Sequence, residues 1–159
     1  MRENQTRKLT AAALMAAMVY VATYIGTALP FSGYVHLGDA AVYLSGILLG
    51  PQYGLMAAAV GSGLADGLKG WAIYIPATIV LKGVMAYCAG KARDKDLRSM
   101  IVMMSIGGLV MVAGYYLYEV ILYGTVLGPI VNIPWNILQF VVGTIIALFL
   151  MKPFKQFRI

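Results

Sequence analysis

The run SGYVHLGDAAVYL, Ser32 to Leu44, places His36, the only histidine of the chain, three residues before Asp39. An imidazole and a carboxylate that close can share a hydrogen bond, grip a polar ligand or pass a proton. Lys82 and Glu119 stand inside otherwise apolar runs, and Asp66 closes another. Tyr115 precedes Glu119 by four residues and shares its helical face. Asn132, Trp135, Asn136 and Gln139 recur at spacings of three and four, which draws a polar and aromatic stripe along one helix. In hydrocarbon an ionised side chain costs at least about 2.5 kcal/mol, so each of these groups needs a partner or a ligand.

Hydrocarbon is the solvent that the composition implies. Of the 159 residues 61% are hydrophobic and 11% charged, where globular chains carry roughly a quarter charged residues. The chain reads as an all-α membrane protein, a single domain over residues 1–159. A span takes about 20 residues, so six or seven spans fit and no soluble catalytic domain does. The single Cys88 excludes an internal disulfide, and with one histidine it leaves no ligand set for a metal. Cys88 is expected as a small buried residue in a span. Neither a metal nor a cofactor is expected. Nucleic-acid binding is not expected either, because basic residues beside spans are topology determinants first.

Six apolar stretches position the polar residues: Leu9–Leu29, Asp39–Leu49, Gln52–Ala65, Pro76–Gly90, Met100–Tyr123 and Asn132–Met151. Pro30 and the pair Gly50-Pro51 end the first two. The segment MRENQTRKLT resembles the start of a signal peptide, but no convincing cleavage site follows, so the first helix is expected to be retained. Ten of the twelve Lys and Arg fall in three places: Arg2, Arg7, Lys8; Lys91, Arg93, Lys95, Arg98; and Lys152, Lys155, Arg158. Six spans put all three on one side, and the positive-inside rule makes that side, with both termini, cytoplasmic. The connections PFSGYVHLGD, DGLKGWAIY and YGTVLGPIVN then face outward, rich in Gly and aromatics.

His36, Asp39, Asp66, Glu119, Asn132, Trp135, Asn136 and Gln139 therefore gather at or near the outer end, with Tyr115 on the face of Glu119 and Lys82 approaching from mid-span. That set suits a pocket for a small, flat, polar molecule, with rings for stacking and fixed donors and acceptors at the rim. The apolar inner half argues against a continuous aqueous channel. Structural alternatives stay open for each residue. Asp39 suits the cap of a helix, Lys82 suits an ion pair with Glu119 or Asp66 that only ties helices together, and His36 suits an interfacial loop. On the first helix Ala12/Ala16 and Ala13/Ala17 are small residues four apart, where another helix can approach closely, within the bundle or from a partner.

The stretch Gly33 to Lys91, with HLGD, then LLGP, GSGLAD and the PAT…KG segment, resembles the S components of energy-coupling factor (ECF) transporters. The six spans, basic inner loop and Ala-rich first helix extend the likeness to the whole chain. The resemblance implies a substrate-binding subunit in the bacterial plasma membrane, working with a transmembrane coupling protein and two cytoplasmic ATPases. It implies that Ala12, Ala13, Ala16 and Ala17 meet the coupling protein and that the ligand sits in the outer half, under the first outer loop. Related sequences are associated with the hydroxymethylpyrimidine precursor of thiamine, pyridoxine-type vitamers and riboflavin, and the pocket residues favour a single pyrimidine or pyridine ring. Two rival readings are a stand-alone transporter relaying protons through Asp66, Lys82 and Glu119, and a membrane scaffold whose polar cluster is structural.

Overall fold

A computed structural model describes residues 2–154. Helix α1, Arg2–Tyr24, begins before the expected Leu9, because the polar run preceding it is made of residues that accept a helix readily. It stops short of Leu29. From Gly26 the chain turns into a short antiparallel hairpin, β1 Gly26–Ala28 against β2 Tyr34–His36, with Gly26 facing His36. The all-α expectation is corrected by that hairpin. Pro30 cannot continue a helix, and Gly33, at φ 81°, supplies a left-handed turn that other residues resist.

The two short helices expected after it are arms of one element, α2, Gly38–Leu68, broken at Gly50, where φ is 81° and Pro51 follows. The arms fold back on each other, and the Ser45 hydroxyl donates to the Gly54 carbonyl at 3.0 Å. A Cβ on Gly54 would lie 2.5 Å from the Gly46 Cα, so the arms meet backbone to backbone. A short 3-10 turn, Ala72–Tyr74, leads into α3, Ile75–Lys91. Helix α4, Leu97–Tyr123, opens on Asp96, whose carboxylate accepts the Ser99 N–H at 3.1 Å, and closes on Gly124 at φ 65°. A single turn α5, Leu127–Ile130, precedes α6, Ile133–Phe154.

Among the described residues, four segments are long and apolar enough to cross a membrane: Gly38–Leu68, Ala72–Lys91, Leu97–Tyr123 and Leu127–Phe154. The bundle is turned inside out relative to a soluble protein. Ile121, Phe149, Leu14 and Ile145 are exposed, while Asp39, Asp66, Lys82, Glu119 and Asn132 are buried. Lipid facing the outer surface satisfies both halves of that pattern. Arg7, Lys8, Lys91, Arg93, Lys95, Arg98 and Lys152 belong to the end of the bundle that holds the α2 kink and the α3–α4 connection. Lys155 and Arg158, counted with them in the sequence, lie outside the described residues. The half of the core near that end is apolar, with Met85, Met104 and Ala89 fully buried, and the Tyr43 hydroxyl finds the Met104 carbonyl at 2.8 Å. Cys88 is buried and free, as expected of a small residue in a span.

The opposite half is organised by an ion pair. Lys82 Nζ on α3 donates to Asp39 Oδ1 on α2 at 2.5 Å, with the two side chains 1% and 0% exposed. The other oxygen of Asp39 accepts from Gln139 Nε2 on α6 at 3.1 Å. Asp39 therefore does not cap its helix: Leu37 holds the cap position, without a side-chain bond. Nor does Lys82 pair with Glu119 or Asp66. It takes the carboxylate that enters the bundle from the first turn of α2. Helix α6 comes in so closely that a Cβ on Gly143 would lie 2.7 Å from the Asp39 Cβ.

Two outcomes follow from this packing. Gly46→Val places a side chain into the Ala86 carbonyl, and loss of a folded, monodisperse species in detergent is expected. Lys82→Met leaves Asp39 buried without its cation and is expected to cost about 3 kcal/mol or more. The double variant Asp39→Leu with Lys82→Met is expected to recover most of that loss, read as apparent Tm.

Candidate functional site

Beneath the β1–β2 hairpin, α2, α3, α4 and α6 converge on a cavity of about 30 Å³, room for the centres of about two waters. All the space between atoms in the recess, with the open solvent beside it, comes to about 430 Å³. His36 from β2, Lys82 from α3, Tyr115 and Glu119 from α4, and Asn136 and Gln139 from α6 line it. Asp39 and Asn132 stand one layer behind, each holding a lining residue in place. Eight of the nine residues expected at a ligand site thus come together.

Trp135 does not. It is 41% exposed and lies outside the cavity wall. At about 100° per residue, Asn132, Asn136 and Gln139 span a narrow sector, and Trp135 falls about 60° from Asn132, at its edge. The rings that do form the wall come largely from residues the sequence reading left out: Tyr34 on β2 and Trp71 and Tyr74 on the connection before α3. Trp71 and Tyr74 meet edge to face at 5.9 Å, and Tyr34 stands 6.5 Å from Trp71. The aromatic richness of the two outer connections was the available signal. Their relative placement depends on the hairpin.

Two hydrogen-bond chains hold the polar wall. In one, the His36 backbone N–H donates to Gln139 Oε1 at 3.0 Å, and Gln139 passes the link to Asp39 and Lys82. The His36 ring accepts the Gly38 N–H on Nδ1 at 3.0 Å, so the neutral imidazole carries its proton on Nε2. Burial pushes the His36 pKa down to about 3, with the Lys82 charge adding to the effect and Asp39 opposing it. His36 is therefore uncharged at physiological pH. In the second chain the Tyr74 hydroxyl lies 2.7 Å from Ser32 Oγ and 3.0 Å from Glu119 Oε1. Asn132 Nδ2 donates to the Ser32 carbonyl at 2.9 Å and faces both Glu119 oxygens at 3.2 Å. Asp66, at the end of α2, accepts the Tyr34 hydroxyl at 2.7 Å.

The hairpin roof is fastened to the bundle at several points. Lys69 Nζ, just past α2, donates to the Tyr24 and Gly26 carbonyls at 2.9 and 3.1 Å and sits 3.9 Å from the centre of the Tyr34 ring. Together with the Tyr34–Asp66 and His36–Gln139 bonds, these contacts cover the cavity with chain drawn from the α1–α2 connection. Among the described residues no three His, Cys, Asp or Glu side chains gather as a metal site requires.

On α1 the two alanine lines part company. Ala12 is buried in the bundle core, and Ala16 is half-buried, with its carbonyl against Gly61 of α2. Ala13 and Ala17 are exposed, beside the exposed Leu14, Met18 and Val21. Of the four alanines expected at a partner, Ala13 and Ala17 remain open to one, while Ala12 already serves internal packing.

Comparison with known proteins meets this geometry from outside. Residues 3–156 match the family described as ECF-type riboflavin transporter, S component. An uncharacterised protein in the gap 3' region of Pyrococcus woesei is 35% identical over 119 residues, 72% of this chain and 78% of that protein. The thiamine precursor transporter HmpT of Lactococcus lactis subsp. cremoris is 28% identical over 152 residues, 92% of this chain and 87% of its own length. A solved structure reported under "Structure and mechanism of the S component of a bacterial ECF transporter" superposes with a TM-score of 0.78. It covers 96% of this chain and 98% of that one at 24% identity, a likeness of fold. With a family match over almost its whole length, and a polar cavity enclosed at one end of an apolar bundle, the chain belongs to the S components, the substrate-binding membrane subunits of ECF transporters.

Proposed function

We propose that this subunit captures a single-ring vitamin precursor of the hydroxymethylpyrimidine or pyridoxine type at the outer face of the bacterial plasma membrane. The observation that carries the reading is the roofed cavity, where a buried lysine, two carboxylates, an imidazole, two amides and four aromatic rings converge. Six rods, α1, the two arms of α2, α3, α4 and α6, would cross the bilayer, with the basic end and both termini in the cytoplasm. The cavity end then faces outward.

The size of the cavity supports a small ligand. The cavity has room for the centres of only about two waters, which suits one ring better than a three-ring flavin. The name of the Lactococcus relative, a thiamine precursor transporter, points the same way. The description of the matched family favours riboflavin as the second reading. Aromatic faces would stack on the ring, and Glu119, Asn136 and Lys82 would engage its polar substituents. Delivery would require a transmembrane coupling protein meeting the exposed Ala13/Ala17 face of α1, and ATP hydrolysis in two cytoplasmic ATPases. Close approach of a second helix is what small exposed residues permit.

Native mass spectrometry of the gently purified protein is expected to find a bound pyrimidine or pyridine; a bound flavin selects the second reading. Glu119→Gln and Asn136→Ala are each expected to weaken ligand binding by roughly 10-fold or more, measured by calorimetry, with the folded protein recovered in normal yield. Unchanged affinity in both removes them from the site. Replacing Ala13 and Ala17 together with Trp is expected to abolish uptake and to spare binding. Normal uptake by that variant contradicts the docking role. Ion-driven uptake by this chain alone in liposomes would instead support the stand-alone transporter.

A further inference from the structure

The charges around the cavity do not balance. Lys82 is consumed by Asp39, and His36 is neutral. Lys69, the other cation at this end, is held by two carbonyls and the face of Tyr34. Asp66 and Glu119 both line the cavity, and among the described residues neither forms an ion pair. Glu119 is at least surrounded by donors, from Tyr74 and Asn132. Asp66 is less well served. It is 4% exposed; its Oδ1 takes the Tyr34 proton, and its buried Oδ2 has no hydrogen-bond partner. Thr78 offers it at most a weak donor, because its hydroxyl also lies 2.8 Å from that of Tyr115.

A buried carboxylate oxygen without a donor loses its hydration with nothing in exchange, and the penalty grows when it is charged. Asp66 lines the cavity walled by Tyr34, Trp71 and Tyr74, and a ligand seated there can supply the missing donor. We infer that Asp66 is the specificity residue of this cavity, and that it selects a flat ring presenting a positive charge or adjacent N–H donors, an aminopyrimidine edge above all, over neutral carbonyl-bearing and anionic rings. The inference rests on the reading of the cavity as the substrate site and goes further by assigning the sign of the ligand's recognised edge.

The physical basis is one-sided. A protonated ring nitrogen beside an amino group offers two parallel N–H donors to a carboxylate, and such charge-assisted pairs are about twice as strong as neutral ones. A ring carbonyl at the same edge turns an acceptor toward Asp66, and a ligand carboxylate or phosphate adds a like charge with Lys82 already paired and Lys69 already held by two carbonyls. Tyr34 holds Oδ1 of the carboxylate, which leaves Oδ2 as the oxygen still to be satisfied. The same bond ties the roof to the recognition group.

The experiment is calorimetric titration of the purified, ligand-stripped protein in detergent with three probes. These are the hydroxymethyl-bearing aminopyrimidine, the pyrimidinone made by exchanging its amino group for oxygen, and riboflavin. The aminopyrimidine is expected to bind roughly 10- to 100-fold more tightly than the pyrimidinone. Asp66→Asn is expected to shrink that preference to a few-fold by weakening the aminopyrimidine, and Glu119→Gln to lower affinity for both pyrimidines alike. Equal binding of the pyrimidine pair by the unsubstituted protein, tighter binding of riboflavin than of the aminopyrimidine, or an unchanged preference in a folded Asp66→Asn protein overturns the assignment while leaving a binding subunit. Failure of a folded protein to bind any of the three overturns the substrate-site reading itself. The comparison of the pyrimidine pair needs no variant, so it decides even where Asp66→Asn does not fold.

Discussion

A lysine and an aspartate buried within an apolar bundle set the terms for everything around them. Lys82 and Asp39 are almost wholly excluded from solvent, and separating them would strand a charge where water cannot reach it, a penalty that exceeds any gain from rearranged packing. The pair therefore dictates the register of α3 against the first arm of α2. Gln139 completes the Asp39 carboxylate and fixes the depth of α6, and the same Gln139 receives the His36 N–H, so the hairpin roof is located by the same pair. One interaction thus reaches three helices and the cover of the cavity.

Such a chain of contacts makes sense only in the solvent the surface implies. Large apolar side chains cover the outside, and no hydrophobic force between helices draws them together in lipid. Close backbone packing takes its place: Gly46 against Gly54 and Ala86, Gly61 against Ala16, Gly143 against Asp39. At the first Ser45 reaches across to the Gly54 carbonyl, and at the last Gln139 reaches Asp39. The price appears at the cavity, where satisfying Asp39 and Glu119 internally leaves little open volume.

Much of this could be read from the chain alone. The apolar runs, the break at Gly50-Pro51 and the grouping of basic residues at one end follow from composition and punctuation, because lipid demands long apolar segments and the residues Gly and Pro interrupt helices wherever they stand. The stripe Asn132, Asn136, Gln139 is a matter of helical period, and it held; Trp135, one step to the side, turned outward because a spacing of three drifts the other way from a spacing of four. The alanine pairs of α1 illustrate the same limit. Both lines satisfy the small-residue pattern, but only the position of α2 beside α1 buries Ala12 and leaves Ala13 and Ala17 exposed.

What the amino-acid order determined by itself was therefore the medium, the rods and the end of the bundle where polarity collects, since each of these is a sum over neighbours in the chain. Which charges meet was decided in three dimensions. Lys82 had three carboxylates within plausible reach and took Asp39, 43 residues away; the segment from Gly26 to His36 closed into a hairpin and brought Tyr34 to Asp66; and Trp71 and Tyr74 became cavity walls through that roof. Partners so far apart in the chain are chosen by helix depth and close approach, which local periodicity does not encode, because the energy of a buried pair depends on both positions at once.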